Sequence, residues 1–356
     1  TACRRQRQMC IRDRSKVMSD HKKPINAGNK GLANLGNTCY MNSALQCLSH
    51  LIVFHPNNEK FFNECKRADK DSLLYEWFQF QRSMWSNKDK QIINPINLLR
   101  RFQKLCVEKD LYFSNFMQND IDEFLTLFLD LLHQGVSRRV EMSFSTKVED
   151  EADKINLKSN QTWQRFYEKD YSYIVENFYS QLLGITSCTD CEYYTTNHDP
   201  IQVLSLEIPS EAQSLNCCLS EYMKKYRLDD KNTWQCDACK NHVRPFKQTR
   251  LWKTSDVLFV LLKRYNRNRK IDKYLEYPLT LDLKDYNINY SKNKSNQYSL
   301  NGMAIHSGGL GGGHYYAVCK NYLDDHWYEY NDSHVSRVSG DKLMKYSPYL
   351  LVYRRL

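Results

Sequence analysis

The sequence predicts an α+β fold in which a helical first half is followed by a second half made mostly of antiparallel β-sheet. Two patterns carry this prediction. Apolar residues recur at helical spacing up to about residue 133, and short apolar runs of β type replace them from about residue 173. With 356 residues and 41% hydrophobic content, the chain can bury a full core as one multi-lobed domain.

Three amphipathic segments predict helices in the first half. In each segment, apolar side chains three or four positions apart would share one face of a helix and pack against the core. They are Met41, Leu45, Leu48 and Ile52 in the first segment, Leu73, Trp77, Phe80 and Met84 in the second, and Ile121, Phe124, Leu125, Phe128, Leu131 and Leu132 in the third.

The stretch over 137–162 separates the two halves. It is charged and polar, and it contains the acidic cluster Glu149, Asp150, Glu151 and Asp153. A segment of this composition has little apolar surface to bury. We therefore expect a mobile connection of low order there.

Seven short runs predict the strands of the second half. They cover 179–186, 203–208, 257–262, 298–307, 314–320, 326–330 and 349–353. The most polar gap between them, 284–297, is rich in Asn, Lys, Ser and Tyr and is expected to form a loop.

The charge of the chain says little about its partners. The net charge is +10, of which the first fourteen residues contribute +4 through five arginines and one aspartate. Residues 9–14 resemble a translated sequencing-adapter fragment, so we expect that residues 1–14 are not native and that the natural chain starts near Met18. We expect no nucleic-acid partner, because the positive charge is the only feature of the sequence that would support one. No apolar run approaches the ~20 residues that a membrane span needs, so we expect no membrane partner.

Four of the thirteen cysteines form two Cys-x-x-Cys pairs, Cys188 with Cys191 and Cys236 with Cys239, separated by 44 residues. Four thiolates suit a closed tetrahedral Zn²⁺ site, which has no open position for a substrate water and is therefore structural. A redox motif and an empty site are the alternatives. Metal-binding rather than disulfide-forming cysteines fit a reducing compartment, so we expect the protein in the cytoplasm, the nucleus or both.

Cys39 and His314 lie almost three hundred residues apart and together supply a nucleophile and a base. Cys39 follows Asn37 and Thr38, residues that favour helix N-termini, so its thiol should sit where the helix dipole and an imidazole lower its pKa. His314 follows a glycine-rich loop, 308–313, and opens a strand, which would deliver it to the mouth of a cleft. His306, at the end of the preceding predicted strand, is the rival base.

An imidazole base needs a third group that fixes its tautomer. Asn331 and Asp332 are the candidates, because both end the strand predicted at 326–330. Neighbouring strand residues point to opposite faces, so only one of the two should reach His314. A neutral amide would orient the ring but would stabilise imidazolium less than a carboxylate.

Four blocks together resemble the ubiquitin-specific proteases, which are cysteine deubiquitinases of papain-like fold. The blocks are the cysteine block at 31–50, Gln118 to Leu125, the two Cys-x-x-Cys pairs, and the histidine block that ends at Asp332. The resemblance implies a catalytic domain over 30–356 after an N-terminal extension, 1–29. It implies a helical thumb (about 30–140), a polar insertion (about 137–170), zinc-ribbon fingers (about 173–250) and an antiparallel β palm (about 251–356).

The resemblance also assigns roles to individual residues. Asn331 aligns with the third catalytic residue, and Asn34 with a side-chain donor to the oxyanion. Asp120 and Glu123 match acids that grip the two arginines in the tail of ubiquitin. Three positions apart at the start of a helix, these acids would share one face, although the helix dipole alone would also favour acids there.

The expected activity is hydrolysis of the bond after the C-terminal glycine of ubiquitin, through a Cys39 thioester, on ubiquitinated proteins. No cofactor beyond structural zinc is implied. Two alternatives stay open: a catalytically silent ubiquitin-binding scaffold, and a protease for a ubiquitin-like modifier.

Overall fold

The computed structural model describes residues 27–86, 91–111, 113, 119–144, 147–265, 270–288, 294–309 and 312–356. Residues 1–14 and most of the predicted extension 1–29 lie outside the described residues. So do Gln118 of the acidic block, positions 310–311 of the glycine-rich loop and positions 289–293 of the predicted polar loop.

The first half is a helical lobe, as predicted. Its helices are α1 (Cys39–Ser49), α2 (Glu59–Arg67), α3 (Leu73–Met84), α4 (Ile96–Glu108) and α5 (Ile121–Gln134), with a 3₁₀ turn at Ile52–Phe54 and the short parallel strands β1 (Gly31–Leu32) and β2 (Ile92–Ile93). The three amphipathic segments are confirmed as α1, α3 and α5. Their apolar faces meet in one core, where the buried ring of Trp77 packs edge to face on Phe128 with centroids 5.4 Å apart.

Among the described residues, the second half contains four further helices and most of the strands. In chain order these elements are α6 (Glu151–Tyr167), α7 (Tyr173–Phe178), β3 (Ser180–Ser187), β4 (Tyr194–Ile201), β5 (Val203–Leu206), α8 (Leu215–Tyr222), β6 (Tyr226–Arg227), β7 (Trp234–Gln235), β8 (His242–Val243), β9 (Phe246–Lys253), β10 (Val257–Leu262), β11 (Thr280–Asp282), β12 (Gln297–Gly309), β13 (Gly312–Lys320), β14 (Trp327–Asn331), β15 (His334–Val338) and β16 (Pro348–Arg355). The one-turn helix α9 (Gly340–Leu343) precedes β16.

The prediction of a mobile connection over 137–162 is wrong, because α6 occupies 151–167. A capping box starts this helix: the Asp150 carboxylate accepts from the Asp153 amide at 2.8 Å, and the Asp153 carboxylate accepts in return from the Asp150 amide. The helix then docks through polar groups, such as the Ser159 hydroxyl that donates to Gln181 at 2.6 Å. The prediction relied on the low number of apolar residues in this segment, and that number does not reveal a helix that is held by hydrogen bonds.

The strands form two main sheets. The large sheet has the order β15-β14-β13-β12-β16-β10-β5, with β11 added on β12, and it is antiparallel except that β5 runs parallel to β10. The small sheet has the order β4-β3-β9-β6, and the hairpin β7-β8 lies beyond it. All seven predicted strands are confirmed. The polar strand β4, the strand β9 and the helices α7 and α8 were not predicted, since their sequences lack a clean apolar period.

Helix α1 joins the helical lobe to the large sheet. All eleven of its residues are buried, since it packs on α5 on one side and on β12, β13 and β14 on the other. Its last turns meet β13, where the sulfur atoms of Cys47 and Cys319 lie 4.0 Å apart. A helix buried on every side cannot shift without disturbing both lobes.

A second contact fixes the segment that precedes α1. The Leu32 amide donates to the Asp332 carbonyl at 2.8 Å, and a side chain at Gly31 would collide with the backbone of Ser333, with an added Cβ only 2.3 Å from its carbonyl oxygen. The turn between β14 and β15 is thereby placed directly beside the residues that lead into α1.

In the part of the chain that the structure describes, no helix has both the length and the apolar character needed to cross a membrane.

Candidate active site

Cys39 is the first residue of α1, as its helical pattern predicts. It is only 4% exposed, and its sulfur lies against the backbone amide of Tyr315, the strand residue that follows His314. The fold therefore brings the two distant segments of the sequence to one place.

The turn before Cys39 is held by the side chain of Asn34. The Asn34 Oδ1 atom accepts from the amides of Gly36 at 3.0 Å and Thr38 at 3.2 Å. Gly36 and Asn37 take positive φ angles of 99° and 54°, which glycine and asparagine adopt most readily. Thr38 is the N-cap residue, but its side chain does not cap the helix; its Oγ1 atom accepts from the Leu35 amide instead. The first amides of α1 thus stay free of a side-chain cap.

The prediction of a lowered Cys39 pKa is wrong for this conformation. Burial raises the pKa of the Cys39 thiol, the Tyr315 amide lowers it and the Asp332 carboxylate raises it again. Among the hydrogen bonds of the described residues, none joins Cys39 to His314, so an imidazolium does not offset the burial. Desolvation disfavours the thiolate more strongly than the helix terminus favours it.

His314 lies on β13, and a residue of the neighbouring strand β14 orients its ring. Its Nε2 atom is 2.6 Å from Asn331 Oδ1, and its side chain is 40% exposed. A carbonyl oxygen only accepts, so Nε2 carries a proton. In a neutral imidazole held this way, Nδ1 is the nitrogen that can take a proton from a thiol.

The hairpin that carries His314 depends on its glycines. Gly308 and Gly312 adopt positive φ angles of 122° and 146°, and they lie where the ends of β12 and β13 pair. A Cβ at Gly313 would lie 2.3 Å from the ring of His306. Side chains at these positions would distort the strand just before His314.

His306, the rival base, faces other partners. Its Nδ1 atom is hydrogen-bonded to the Tyr265 hydroxyl, and its ring packs on Tyr315 with centroids 4.5 Å apart. Burial lowers the pKa of His306, and Lys270 lowers it further. These contacts make His306 part of the aromatic wall beside the site, and none of them leads to Cys39.

Asp332 ties both sides of the site together, a role that the sequence did not indicate. Its carboxylate accepts from Asn34 Nδ2 at 2.9 Å and from Asn42 Nδ2 at 2.8 Å. Its nearest oxygen is 4.0 Å from His314 Nε2, beyond hydrogen-bond distance. Asp332 also has a positive φ of 49°, which breaks the alternation of β14 and lets two neighbours serve one site. Asn331 contacts the imidazole, whereas Asp332 holds the asparagines around Cys39.

The predicted acidic residues lie at the start of α5. Asp120 is the N-cap residue; it accepts from the Asp122 amide at 3.0 Å and from the Tyr349 hydroxyl at 2.6 Å. Glu123 is exposed in the first turn. Burial raises the pKa of Asp122 to about 6, and Asp120 and Glu123 add to the rise. Three carboxylates this close form an acidic patch beside the aromatic wall, where a basic group would be favoured.

The four cysteines of the two Cys-x-x-Cys pairs form one cluster between the small sheet and the hairpin β7-β8. All four sulfur atoms lie within 4.8 Å of one another, with 3.8 Å between Cys188 and Cys239 and 3.7 Å between Cys191 and Cys236. A tetrahedron of sulfurs ~2.3 Å from a Zn²⁺ ion has edges of about 3.8 Å. The cluster could hold a metal ion of this kind.

A thiol at a helix start, an imidazole and an orienting amide are the parts of a cysteine acyl-transfer site. Comparisons with known proteins agree. A family model described as ubiquitin carboxyl-terminal hydrolase matches residues 30–353. The chain is similar to ubiquitin carboxyl-terminal hydrolase Usp2 of Drosophila melanogaster, with 30% identity over 96% of this chain and 36% of that protein. It is also similar to ubiquitin carboxyl-terminal hydrolase 2 of Gallus gallus, with 32% identity over 92% of this chain and 93% of that protein.

The relatives differ in length. The chain spans 36% of the Drosophila protein and 55% of ubiquitin carboxyl-terminal hydrolase 2 of Bos taurus. Among solved structures, it resembles a SAGA DUB module of Ubp8, Sgf11, Sus1 and Sgf73 bound to monoubiquitin, with a TM-score of 0.75 and 27% identity over 96% of this chain and 72% of that one. The same module bound to ubiquitin aldehyde gives a TM-score of 0.73 and 28% identity over 95% and 72%.

The balance of burial and charge at Cys39 predicts its reactivity in the protein alone. The rate of Cys39 alkylation by iodoacetamide should follow an apparent pKa above the ordinary value of 9.0, because burial and Asp332 both disfavour the thiolate. Asp332→Asn should shift that profile to lower pH. Peptide mass spectrometry across a pH series measures both.

Cys217 is the internal control for this measurement. It is exposed, and the hydrogen bond with Ser214 lowers the pKa of its thiol. Its alkylation should therefore titrate below 9.0 in the same samples. A Cys39 profile that matches or precedes that of Cys217 would contradict the prediction.

Proposed function

Because this chain belongs to the ubiquitin carboxyl-terminal hydrolase family, we propose that it is a thiol-dependent deubiquitinase. It hydrolyses the isopeptide or peptide bond after the C-terminal glycine of ubiquitin. Membership of the family confirms the predicted fold class, with the helical lobe as thumb, the large sheet as palm and the small sheet with its four-cysteine cluster as fingers.

One observation carries the proposal. Cys39 lies at the start of α1 beside the backbone of β13, and the neighbouring residue on that strand, His314, is hydrogen-bonded through Nε2 to Asn331 at 2.6 Å. The free Nδ1 atom of the imidazole is then the nitrogen that serves the thiol. Two solved relatives are bound to monoubiquitin or to ubiquitin aldehyde, which supports ubiquitin as the substrate.

In the first half of the reaction, the Cys39 proton moves to His314 Nδ1 and the sulfur attacks the carbonyl carbon of the terminal glycine. The His314 Nδ1 proton then passes to the departing amine, the C–N bond breaks and a thioester remains on Cys39. Asn331 keeps the imidazole ring in place through both proton transfers. Because an amide is neutral, the positive charge of the imidazolium is stabilised by other groups around it.

In the second half, a water molecule loses a proton to His314 and attacks the thioester. The C–S bond breaks, the sulfur is reprotonated and free ubiquitin leaves. Both halves pass through an oxyanion, which needs preorganised N–H donors. The backbone amides at the start of α1 can supply such donors. The side-chain NH₂ group of Asn34 can supply another: one of its N–H bonds donates to Asp332 at 2.9 Å, and the other can donate to the oxyanion.

The thiol and imidazole do not form a hydrogen bond in this structure, which favours a second candidate, a silent ubiquitin-binding scaffold. We prefer the enzyme, because every group needed for the reaction is in reach of the cleft and catalytic hydrogen bonds often tighten only in the substrate complex. A protease for a ubiquitin-like modifier is the third candidate. The acidic patch of Asp120 and Glu123 would suit the basic tail of ubiquitin in the enzyme or the scaffold.

We also propose that the four-cysteine cluster holds one structural zinc ion at the tip of the fingers. Cys188, Cys191, Cys236 and Cys239 would be its ligands. Four protein thiolates fill a tetrahedral ion, so it would order the two knuckles rather than activate water. A reactive thiol and a four-thiolate site both need reduced cysteines, which supports a cytoplasmic or nuclear location.

The first test is reaction of the purified chain with ubiquitin that carries a thiol-reactive alkyne at its C-terminus. The wild-type chain should gain the mass of one ubiquitin, because the probe delivers its electrophile to Cys39. Cys39→Ala and His314→Ala should abolish or strongly slow the adduct. Cys217→Ala, which removes an exposed thiol outside the site, should react as the wild type does.

The outcome separates the three candidates. An adduct lost only with Cys39 establishes the nucleophile and ubiquitin recognition. Tight ubiquitin binding without an adduct would indicate the scaffold. Neither binding nor reaction, with a faster reaction toward a probe made from another modifier, would indicate the third candidate.

Substitution of Asn331 and Asp332 tests the division of roles between them. Asn331→Ala should lower kcat/KM on a fluorogenic ubiquitin amide by about 10²-fold, because the imidazole loses its orientation. Asn331→Asp should retain activity and shift the pH profile of the base upward, since a carboxylate stabilises imidazolium. Asp332→Asn should lower kcat by displacing Asn34. Near-wild-type activity of Asn331→Ala would contradict the assignment.

Removal of the cluster ligands tests the zinc proposal. Elemental analysis of the wild-type chain should find about one zinc ion per molecule. The pair of substitutions Cys191→Ser and Cys236→Ser should abolish it and lower the Tm, whereas Cys217→Ser should change neither. A metal-free wild-type chain with an unchanged Tm in the double variant would exclude a structural zinc.

A further inference from the structure

A cavity of about 470 Å³ lies on the face of the large sheet that is turned away from α1. Tyr315 on β13 packs in the core beside α1, whereas its neighbour Tyr316 packs with the opposite core and lines the cavity. Ile305, the partner of Tyr316 on β12, lines it too. The cavity thus extends behind the hairpin that carries His314 and reaches the end of β12, where His306, Ser307 and Gly308 also line it. The proposed reaction does not use it.

Arg264 forms the floor of this cavity and is only 2% exposed. Its Nε atom donates to the Pro348 carbonyl at 2.7 Å. Its Nη1 atom donates to the carbonyls of Ile271 at 3.0 Å and Lys273 at 2.8 Å. Nη2 is buried and has no partner among the described residues.

The guanidinium of Arg264 is a buried charge without a hydrogen-bonded carboxylate. Burial lowers the pKa of Arg264, with Asp272 opposing that effect, but an arginine stays charged in proteins. Carbonyl oxygens satisfy three of its five N–H groups and supply no negative charge. A buried cation in this state favours an anion at its remaining donors.

The other charged groups that line the cavity are also mostly positive. Among the described residues, Lys270 and Lys345 line it together with one acid, Asp272. With Arg264, these described groups carry three positive charges and one negative charge, a net of two positive charges. Asp272 is 76% exposed and 3.2 Å from Lys270. Glu329 accepts from the hydroxyl of Tyr346, a lining residue, and its charge also acts on Tyr316.

A second buried polar group lacks a partner at the same place. The Ser347 Oγ atom is buried without a hydrogen-bond partner among the described residues, and Ser347 lines the cavity. We propose that this cavity is a binding site for a tetrahedral, doubly charged oxyanion of the phosphate class, held by Arg264, Lys270, Lys345 and Ser347. A dianion matches the net charge of the lining, and a guanidinium is the side chain best suited to its oxygens.

The site is linked to the catalytic hairpin through Lys270. The Lys270 ammonium donates to the carbonyls of His306 and Gly308, both at 2.9 Å, and its side chain is only 11% exposed. An anion beside Lys270 would therefore act on a group that is bonded to the end of β12, on the hairpin that carries His314. Binding at this cavity does not depend on the proposed deubiquitinase activity.

Thermal unfolding and isothermal titration of the full chain test the proposal. Sodium phosphate is compared with sodium chloride at equal ionic strength and about pH 8, where phosphate groups are dianionic. The wild-type Tm should rise with phosphate and saturate. Lys345→Glu, at an exposed position, should weaken phosphate binding about tenfold or more by reversing one charge. Lys169→Glu is the matched control, because it reverses the charge of an exposed lysine that does not line the cavity.

Ser347→Asp gives an independent test, since it places a carboxylate in the cavity. It should raise the Tm in chloride and abolish the response to phosphate. A response that is unsaturable, or equal in the wild type, Lys345→Glu and Lys169→Glu, would reflect the general stabilising effect of phosphate and would overturn the proposal.

O-Phosphoserine in a parallel titration distinguishes the sources of the anion. Tighter binding of O-phosphoserine would assign the site to a phosphate monoester, and selective binding of inorganic phosphate would assign it to the free ion. Failure of both to bind the wild-type chain would overturn the proposal.

Discussion

The burial of α1 between the helical lobe and the large sheet is the constraint on which the site depends. One end of this helix carries Cys39, and its length packs on the strand that carries His314. The carboxylate of Asp332 completes the junction, because it accepts from Asn34 before the helix and from Asn42 within it. Cys39 and His314 are thus positioned by a packing contact and by hydrogen bonds to Asp332, and both join residues that are almost three hundred positions apart in the sequence.

That arrangement has an electrostatic consequence for the nucleophile. Close packing leaves Cys39 4% exposed and raises its thiol pKa, while the side chain of His314 stays 40% exposed. The imidazole of His314 is therefore solvent-accessible and already oriented, whereas burial disfavours the thiolate of Cys39. A substrate that covers the cleft would exclude water from the imidazole and bring it toward the thiol, which couples recognition to activation.

The two faces of the hairpin formed by β12 and β13 serve different purposes. On the face toward α1, His306, Tyr315 and Tyr349 form an aromatic wall that leads to Asp120. On the other face, Arg264 and Lys270 hold the strand ends through backbone carbonyls. Because strand neighbours alternate between faces, the hairpin turns Tyr315 toward the site and Tyr316 away from it, while Arg264 and Lys270 support the strand ends from outside the hairpin.

The sequence by itself determined the elements with a strong apolar period, the candidate nucleophile and base, and the paired cysteines, because spacing and residue chemistry are local properties. It did not determine α6, which is held by a capping box and polar contacts rather than an apolar face. Residue spacing also left Asn331 and Asp332 open, and only the resemblance to a family assigned Asn331; the contact of Asn331 with His314 depends on a backbone that turns at the positive φ of Asp332. The ionisation of Cys39 was also decided by tertiary structure: desolvation depends on everything packed around a group, and no pattern of neighbours along the chain specifies it.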